Sequence, residues 1–465
     1  MREAAGIAAA TGLLAFAGTG VLRALGVANG GWRGLAAAGG LAYLTGIAVV
    51  MPLGIALLTV GVSFRLWLFT VTCAAVGGLG LLLARRREPA APARGATAGA
   101  TPPVPLRRLG AVLGLLAGAY LAIWLVTYLV TPLHAWDSWS IWGRKGAILA
   151  TSDGLPAEFF TSSAYAFMHQ DYPLLLPLLE SVYYRAMGGV DVETVHAVFW
   201  LLLVAFVAAL VFVGRTLGRP RVWVAVALAV VFAPLVYGQL STAYADVPMA
   251  FFAGLGVLLL GRWTESTDPR ELALAGLLLA AGAATKNEGL AAAFAALVAA
   301  ALVVRAPRRA SLARLGLTAA AIGASLAPWW VWVASRDIPE DELPVGKGLD
   351  PGYVAERLDR VLPALEAVAR ETLKQGGWLV PLAVLLVAAA LATGVGRRAA
   401  AFYAFAALGI VASIVWSFVV TTATLDYQIE TSAARVVMGV VFVAVAALVH
   451  VGGALDRRLA PHEGS

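Results

Sequence analysis

The chain has 465 residues, of which 60% are hydrophobic and 13% charged, with a mean hydropathy of +0.83 and a formal net charge of +7. A soluble domain of this size does not carry that much apolar sequence in recurring long runs, so composition excludes a soluble protein and predicts an all-α polytopic membrane protein. The sequence pI near 9.7 then reads as cytoplasmic Arg clusters, with no nucleic-acid partner expected, and the single cysteine, Cys73, excludes an intrachain disulfide.

Met1-Arg2-Glu3 precedes an apolar stretch too long for a signal-peptide core, which predicts a retained first helix. Three spans are expected at about 4–24, 36–60 and 64–84, forming an N-terminal membrane segment over residues 1–84. Arg85-Arg86-Arg87 then opens an Ala/Pro/Gly/Thr-rich stretch, residues 85–107, with little to bury; it reads as a cytoplasmic linker and the best domain boundary. Residues 108–465 form the larger membrane domain, whose first span runs from about 109 to 131.

Directly after that span comes Trp136-Asp137-Ser138-Trp139-Ser140-Ile141-Trp142-Gly143-Arg144-Lys145. Tryptophan favours the membrane–water interface, which places an acid and two cations at headgroup level. Asp137 is a candidate general base for a hydroxyl substrate, or else the N-cap of a short interfacial helix. Arg144 and Lys145 are candidate phosphate ligands, or else snorkelling charges. The loop continues to about 190. Within it, His169-Gln170-Asp171-Tyr172-Pro173 leads into an apolar run broken by Pro173, Pro177 and Glu180, which suits an interfacial or re-entrant helix better than a span. His169, Asp171 and Tyr172 are candidate headgroup contacts.

Nine further spans are expected at about 193–214, 222–240, 243–261, 270–284, 289–304, 315–334, 377–395, 399–420 and 433–453, thirteen in all. Asp246, in Tyr244-Ala245-Asp246-Val247-Pro248, starts one of them. It is read either as an N-cap or as a second active carboxylate, with Tyr244 beside it. Two carboxylates on different helices could share a divalent cation, which is the only cofactor the sequence suggests. Thr285-Lys286-Asn287-Glu288-Gly289 interrupts two apolar runs, and a tight turn alone requires neither the lysine nor Glu288. Lys286 is a candidate phosphate ligand. Between 335 and 376 lies a second large loop. There Asp350 and Pro351 form a helix-start signal, and Val354, Leu358, Val361, Leu362, Leu365 and Val368 recur at helical spacing, as in a helix lying on the membrane or packing over a cleft. Arg435 is expected to begin the last span and is a candidate bidentate phosphate ligand, or else an anchor of that helix at the interface; with Lys286, Arg144, Lys145 and His169 it makes up the candidate donor-phosphate set.

Orientation follows from charge. With the 85–107 linker inside, alternation puts most of the 34 Lys and Arg in cytoplasmic loops and most of the 27 Asp and Glu outside. The expected topology is a multi-pass plasma or inner cell-membrane protein with the N-terminus and both large loops outside and the C-terminus cytoplasmic. Asp137, Asp246, Lys286, Glu288 and Arg435 then share the outer face. The middles of the spans carry almost no ionisable residue, which favours chemistry at the membrane surface over ion-coupled transport. Walker A, dinucleotide-binding and HExxH patterns are missing.

In this order the motifs resemble the GT-C fold of polyprenyl-phosphate-sugar-dependent glycosyltransferases, with the protein O-mannosyltransferase, aminoarabinose transferase and lipopolysaccharide galacturonosyltransferase group as the nearest likeness. The residues that carry it are Asp137, Tyr172-Pro173-Leu174-Leu175-Leu176-Pro177, the basic run Arg215 to Arg221, Asp246-Val247-Pro248, Thr285-Lys286 and Arg435, within roughly residues 108–453. The resemblance implies an inverting sugar transfer from a polyprenyl-phosphate donor to an acceptor hydroxyl at the outer membrane face. The acceptor would be a lipid, glycan or protein. It implies Asp137 as base, Asp246 as its assistant or co-ligand of a metal, and Lys286 on the donor phosphate; beside these, Trp136, Trp139, Asp171, Tyr172, Tyr244 and Glu288 are candidate substrate contacts. Two departures stand out: Asp137 is followed by Ser138 where many relatives have paired acids, and the first three spans have no counterpart. A lipid or sugar transporter without chemistry, or a non-catalytic scaffold subunit, are the readings from other classes.

Overall fold

The computed structural model describes residues 2–27, 32–86, 104–305, 307–338 and 345–459; most of the 85–107 linker lies outside them. Every element is a helix and no strand occurs among the described residues, the architecture of an all-α polytopic membrane protein.

The N-terminal part contains α1 (Arg2–Leu25), a short α2 (Trp32–Ala37), α3 (Gly39–Thr59) and α4 (Leu66–Arg85), followed after the linker by α5 (Val104–Leu129). Then come α6 (Gly143–Thr151), α7 (Ala157–Thr161), α8 (Leu175–Met187) and α9 (His196–Gly214). The next helices are α10 (Pro220–Phe232), α11 (Pro234–Ser241), α12 (Asp246–Ser266), α13 (Pro269–Thr285), α14 (Asn287–Val303) and α15 (Arg308–Ala334). The second loop holds α16 (Val345–Gly348) and α17 (Pro351–Ala355). The chain ends with α18 (Val361–Gly376), α19 (Leu379–Thr393), α20 (Arg397–Val420), α21 (Leu425–Val436) and α22 (Met438–Leu459).

Each of the thirteen expected spans contains a helix. By length and composition, nine helices among the described residues can cross a membrane, or up to eleven if each of two bent pairs is one span. One bent pair is α10–α11, which turns by 45° at Pro234, where proline removes a backbone donor and crowds the preceding turn. The core is carried by α12 and α22, whose apolar stretches are almost wholly buried, whereas α4, α5 and α15 form an apolar outer wall.

The sequence break at the linker is not a break in packing. α3 is largely buried against α9, α13 and α15, and α1 packs on α3, α4 and α8. α1 and α3 approach so closely at Gly18 that a side chain there would collide with the Ala42 carbonyl, so the contact is a small-residue membrane interface. A buried polar chain joins these helices to the first loop: the Tyr183 hydroxyl of α8 bonds the Tyr43 hydroxyl at 2.8 Å and the Thr11 hydroxyl at 2.9 Å.

The Tyr172–Leu179 run enters α8, a 13-residue helix that is not among the candidate spans; it continues through Glu180 and is buried from Leu175 to Tyr184 because α1, α3 and α6 cover it. Two local readings change. The amphipathic segment after Asp350 is two helices. Asp350 does cap α17, accepting from the Gly352 amide at 2.9 Å, but the chain restarts at α18. α18 buries Ala364, Ala367 and Val368, exposes Leu362 and Leu365, and meets α19 at 102°. Arg435 does not begin the last span; it lies in the last turn of α21, two residues before the break to α22.

Candidate active site

Four stretches far apart in sequence meet at one end of the bundle. The first begins at Asp137, which precedes a single π-helical turn, Ser138–Trp142, leading into α6. Asp137 occupies the capping position of that turn, yet its side chain caps nothing there. Instead its Oδ2 accepts from Nη1 of Arg435, 298 residues away. π-Turns open the backbone ladder and recur at functional sites because they re-aim side chains.

The second stretch is the start of α12. Ala243, fully buried, holds φ = +53°, a left-handed backbone that costs a residue with a Cβ about 1 kcal/mol or more. The strained turn sets Tyr244 beside Asp137 and beneath Arg435, whose guanidinium carbon lies 4.9 Å from the ring centroid. Burial pushes the Tyr244 phenol up, and the Asp137 charge adds to the effect, so the ring carries a neutral hydroxyl at physiological pH. Asp246 is the first residue of α12, and it too makes no side-chain cap; the capping position belongs to Ala245.

The carboxylate of Asp246 turns to the third stretch. Its Oδ1 accepts from Lys286 Nζ at 2.7 Å, while its Oδ2 is buried without a hydrogen-bond partner among the described residues. Lys286 is the one extended residue between α13 and α14. The kink is sharp because Gly289 lies on the Gly282 carbonyl, where any side chain would collide. Thr285 turns its hydroxyl back to the Ala281 carbonyl at 2.7 Å and completes α13. Lys286 also bonds Glu288 at 2.9 Å. Burial works against the ammonium charge, but Asp246 and Glu288 outweigh it and raise the lysine pKa. The fourth stretch is α21, where Arg435 Nε is fixed to the Thr431 carbonyl at 3.0 Å.

The site is therefore a chain of alternating charge: Asp137, Arg435, Asp246, Lys286 and Glu288, with Tyr244 stacked under its middle. Arg435 feels the charge of both aspartates. Trp136 and Trp139 stand next to it, exposed and edge-to-face at 5.0 Å, while Trp142 is buried. The donor set does not suit a metal ion. Each aspartate is already held by a cationic side chain, and among the described residues no group of three His, Cys, Asp or Glu could hold one.

The remaining predicted residues belong to other surroundings. Lys145 is fully buried, donates to the His169 carbonyl, and lies 5.9 Å from the Trp142 ring and 5.7 Å from the Tyr172 ring. His169, at φ = +49°, stacks on Tyr172 at 4.5 Å. The Asp171 carbonyl accepts from the Trp329 indole at 3.0 Å. These residues pin the first loop to itself and to α15. Arg144 is exposed and lines an apolar cleft of about 340 Å³ with Leu133, Trp139 and Val192. Sequence reasoning missed Glu180: both of its oxygens are buried beside Gly146 of α6 without hydrogen-bond partners among the described residues. Its position in an otherwise apolar run was the available signal.

No protein-family model, no curated protein and no solved structure matches this chain.

Proposed function

We propose that the protein is an inverting glycosyltransferase that moves a sugar from a polyprenyl-phosphate donor to an acceptor hydroxyl at the outer membrane face. The observation that carries this reading is the convergence of three carboxylates and two cations, from four discontinuous stretches, at one end of an apolar bundle. Such a transfer needs a base for the incoming hydroxyl and fixed positive charge for the leaving phosphate. Asp137 takes the acceptor proton. The acceptor oxygen bonds the anomeric carbon, the bond from that carbon to the phosphate oxygen breaks, and polyprenyl phosphate leaves in the field of Arg435 and Lys286. Asp246 fixes Lys286, and the exposed rings of Trp136 and Trp139 offer flat apolar faces to a sugar.

A transporter needs polar groups along a path through the bilayer. Between Asp246 and Arg262 the central helix α12 has no ionisable residue and is buried in apolar neighbours, which favours surface chemistry. The test is release of label from polyprenyl-phosphate sugars by the purified protein. Asp137→Asn is expected to lower transfer about 10²–10⁴-fold, the span of a lost general base, with unchanged membrane insertion. Near-normal turnover by that variant overturns the assignment.

A further inference from the structure

The two ion pairs of the site differ in access. Lys286 and Asp246 side chains are 7% and 1% exposed, whereas Arg435 and Asp137 are 19% and 21% exposed. Lys286 is also clamped from both sides, by Asp246 and Glu288. Arg435 uses Nε for the Thr431 carbonyl and Nη1 for Asp137, so Nη2 of its five-donor fork carries no hydrogen bond among the described residues. Its plane is supported by Tyr244 whatever Nη1 binds. It is thus a pre-oriented guanidinium whose directly bonded carboxylate, Asp137, is the more exposed of the two aspartates near it.

We propose that Arg435 is the phosphate ligand of the site and that it is exchangeable: at rest it binds Asp137, and the phosphate of a lipid-linked donor takes it over and releases Asp137. The inference rests on the glycosyl-transfer reading for its meaning but not for its test. A guanidinium binds phosphate through two parallel N–H bonds, which a single carboxylate oxygen cannot match. At rest Asp137 Oδ2 is occupied by Nη1 of Arg435; once phosphate takes the guanidinium, that oxygen is open to an acceptor hydroxyl. Donor binding therefore precedes and frees the base. Lys286, locked between two carboxylates, stays out of the exchange and supplies a fixed field.

The test is binding of farnesyl phosphate, with farnesol as the uncharged control, to the full chain in detergent micelles by titration calorimetry. Asp137 competes with phosphate for Arg435, so Asp137→Asn is expected to bind farnesyl phosphate about tenfold more tightly than the natural protein, with farnesol unaffected. Arg435→Gln is expected to weaken binding at least about tenfold, and in the double variant Asp137→Asn no longer tightens it. Binding by Asp137→Asn that is equal to or weaker than the natural protein overturns the exchange, as does unchanged binding by Arg435→Gln. Should Asp137→Asn fail to fold, Asp137→Ser and Arg435→Gln carry the same two outcomes. A protein that shows the tightening but transfers no sugar loses the enzymatic reading and keeps the exchange; transfer without the tightening does the reverse.

Discussion

α12 has a polar cluster at each end, and the two are built differently. At its start, Asp246 is buried, pairs with Lys286 of another helix pair, and leaves one oxygen unpartnered. Around it the backbone is irregular: a left-handed Ala243, an extended Lys286 and a π-turn after Asp137. At its other end, about 30 Å away at the rise of an α-helix, Glu265 accepts from or bonds His450 Nε2 at 3.2 Å, and Tyr403 bonds His450 Nδ1 at 3.1 Å. Arg262 pairs with Glu271 at 2.5 Å and Arg221 bonds Asp456 at 2.6 Å. There α12 ends on Thr267 at φ = +55°, and Asp268 caps α13 through the Arg270 amide at 2.9 Å. The far cluster ties helix ends together with two half-exposed partners, Arg221 and Glu265, whereas the near one holds the Asp246–Lys286 pair almost wholly away from water. Left-handed backbone and a buried carboxylate oxygen without a partner among the described residues occur at both ends, Thr267 and Asp456 Oδ2 at the far one, so what separates the site from the anchor is the deeper burial of the Asp246–Lys286 pair and its assembly from four discontinuous stretches.

The sharpest way to break the comparison is to remove the cation from the near end. Lys286→Met leaves Asp246 and Glu288 without their ammonium, and an orphaned buried charge costs about 3–5 kcal/mol. The variant is expected to lose that much stability in detergent, read by thermal unfolding. Lys286→Met with Asp246→Asn is expected to recover much of it, because the uncompensated charge is gone. A single variant as stable as the natural protein would mean that the pair is no more buried than those at the far end.

How much of this was legible in the sequence can be judged residue by residue. Apolar runs of spanning length located a helix at every expected place, because bilayer thickness constrains length and composition together. Lys286 was visible as a polar break between two runs, and Asp246 as an acid at a helix start. The pairing of Asp137 with Arg435 was not, since periodicity reports an element's type and not which distant element it meets. Arg144 and Lys145 look alike in sequence, yet neighbours on a helix point about 100° apart, and one is exposed while the other is fully buried. The packing of α1 and α3 into the core depends on small residues at contact points, a pattern that 49 glycines spread through the chain do not single out.

Glu180 offers a second, smaller test, because it is buried charge-bearing chemistry at neither end of α12. Burial pushes its carboxyl well above the usual glutamate range, so it is held as the neutral acid. The sign follows from proton binding: below the unfolded value both states are protonated and stability is complete. As pH rises through that value the unfolded chain gives up its proton while the folded one keeps it, and stability falls until the folded group ionises. Thermal midpoints measured from the ordinary glutamate range upward are expected to decline in the natural protein. Glu180→Gln cannot ionise and is expected to remove that part of the slope, whatever it does to the level. An unchanged slope would show that Glu180 finds a charged partner on folding.

The smallest effect is expected at the far end. Glu265 is 40% exposed on its side chain, and its partner His450 keeps its bond to Tyr403 without it. Water replaces a partner at such a site, which limits an exposed pair to about 1 kcal/mol. Glu265→Gln, which preserves a hydrogen-bonding oxygen, is therefore expected to move the thermal midpoint little and to leave farnesyl phosphate binding and sugar transfer unchanged. A loss at this position approaching that of Lys286→Met would erase the distinction between the two ends. A change in transfer with stability intact would go further, because it would mean that a cluster separated from Asp246 by the length of α12 is coupled to the reaction through that helix.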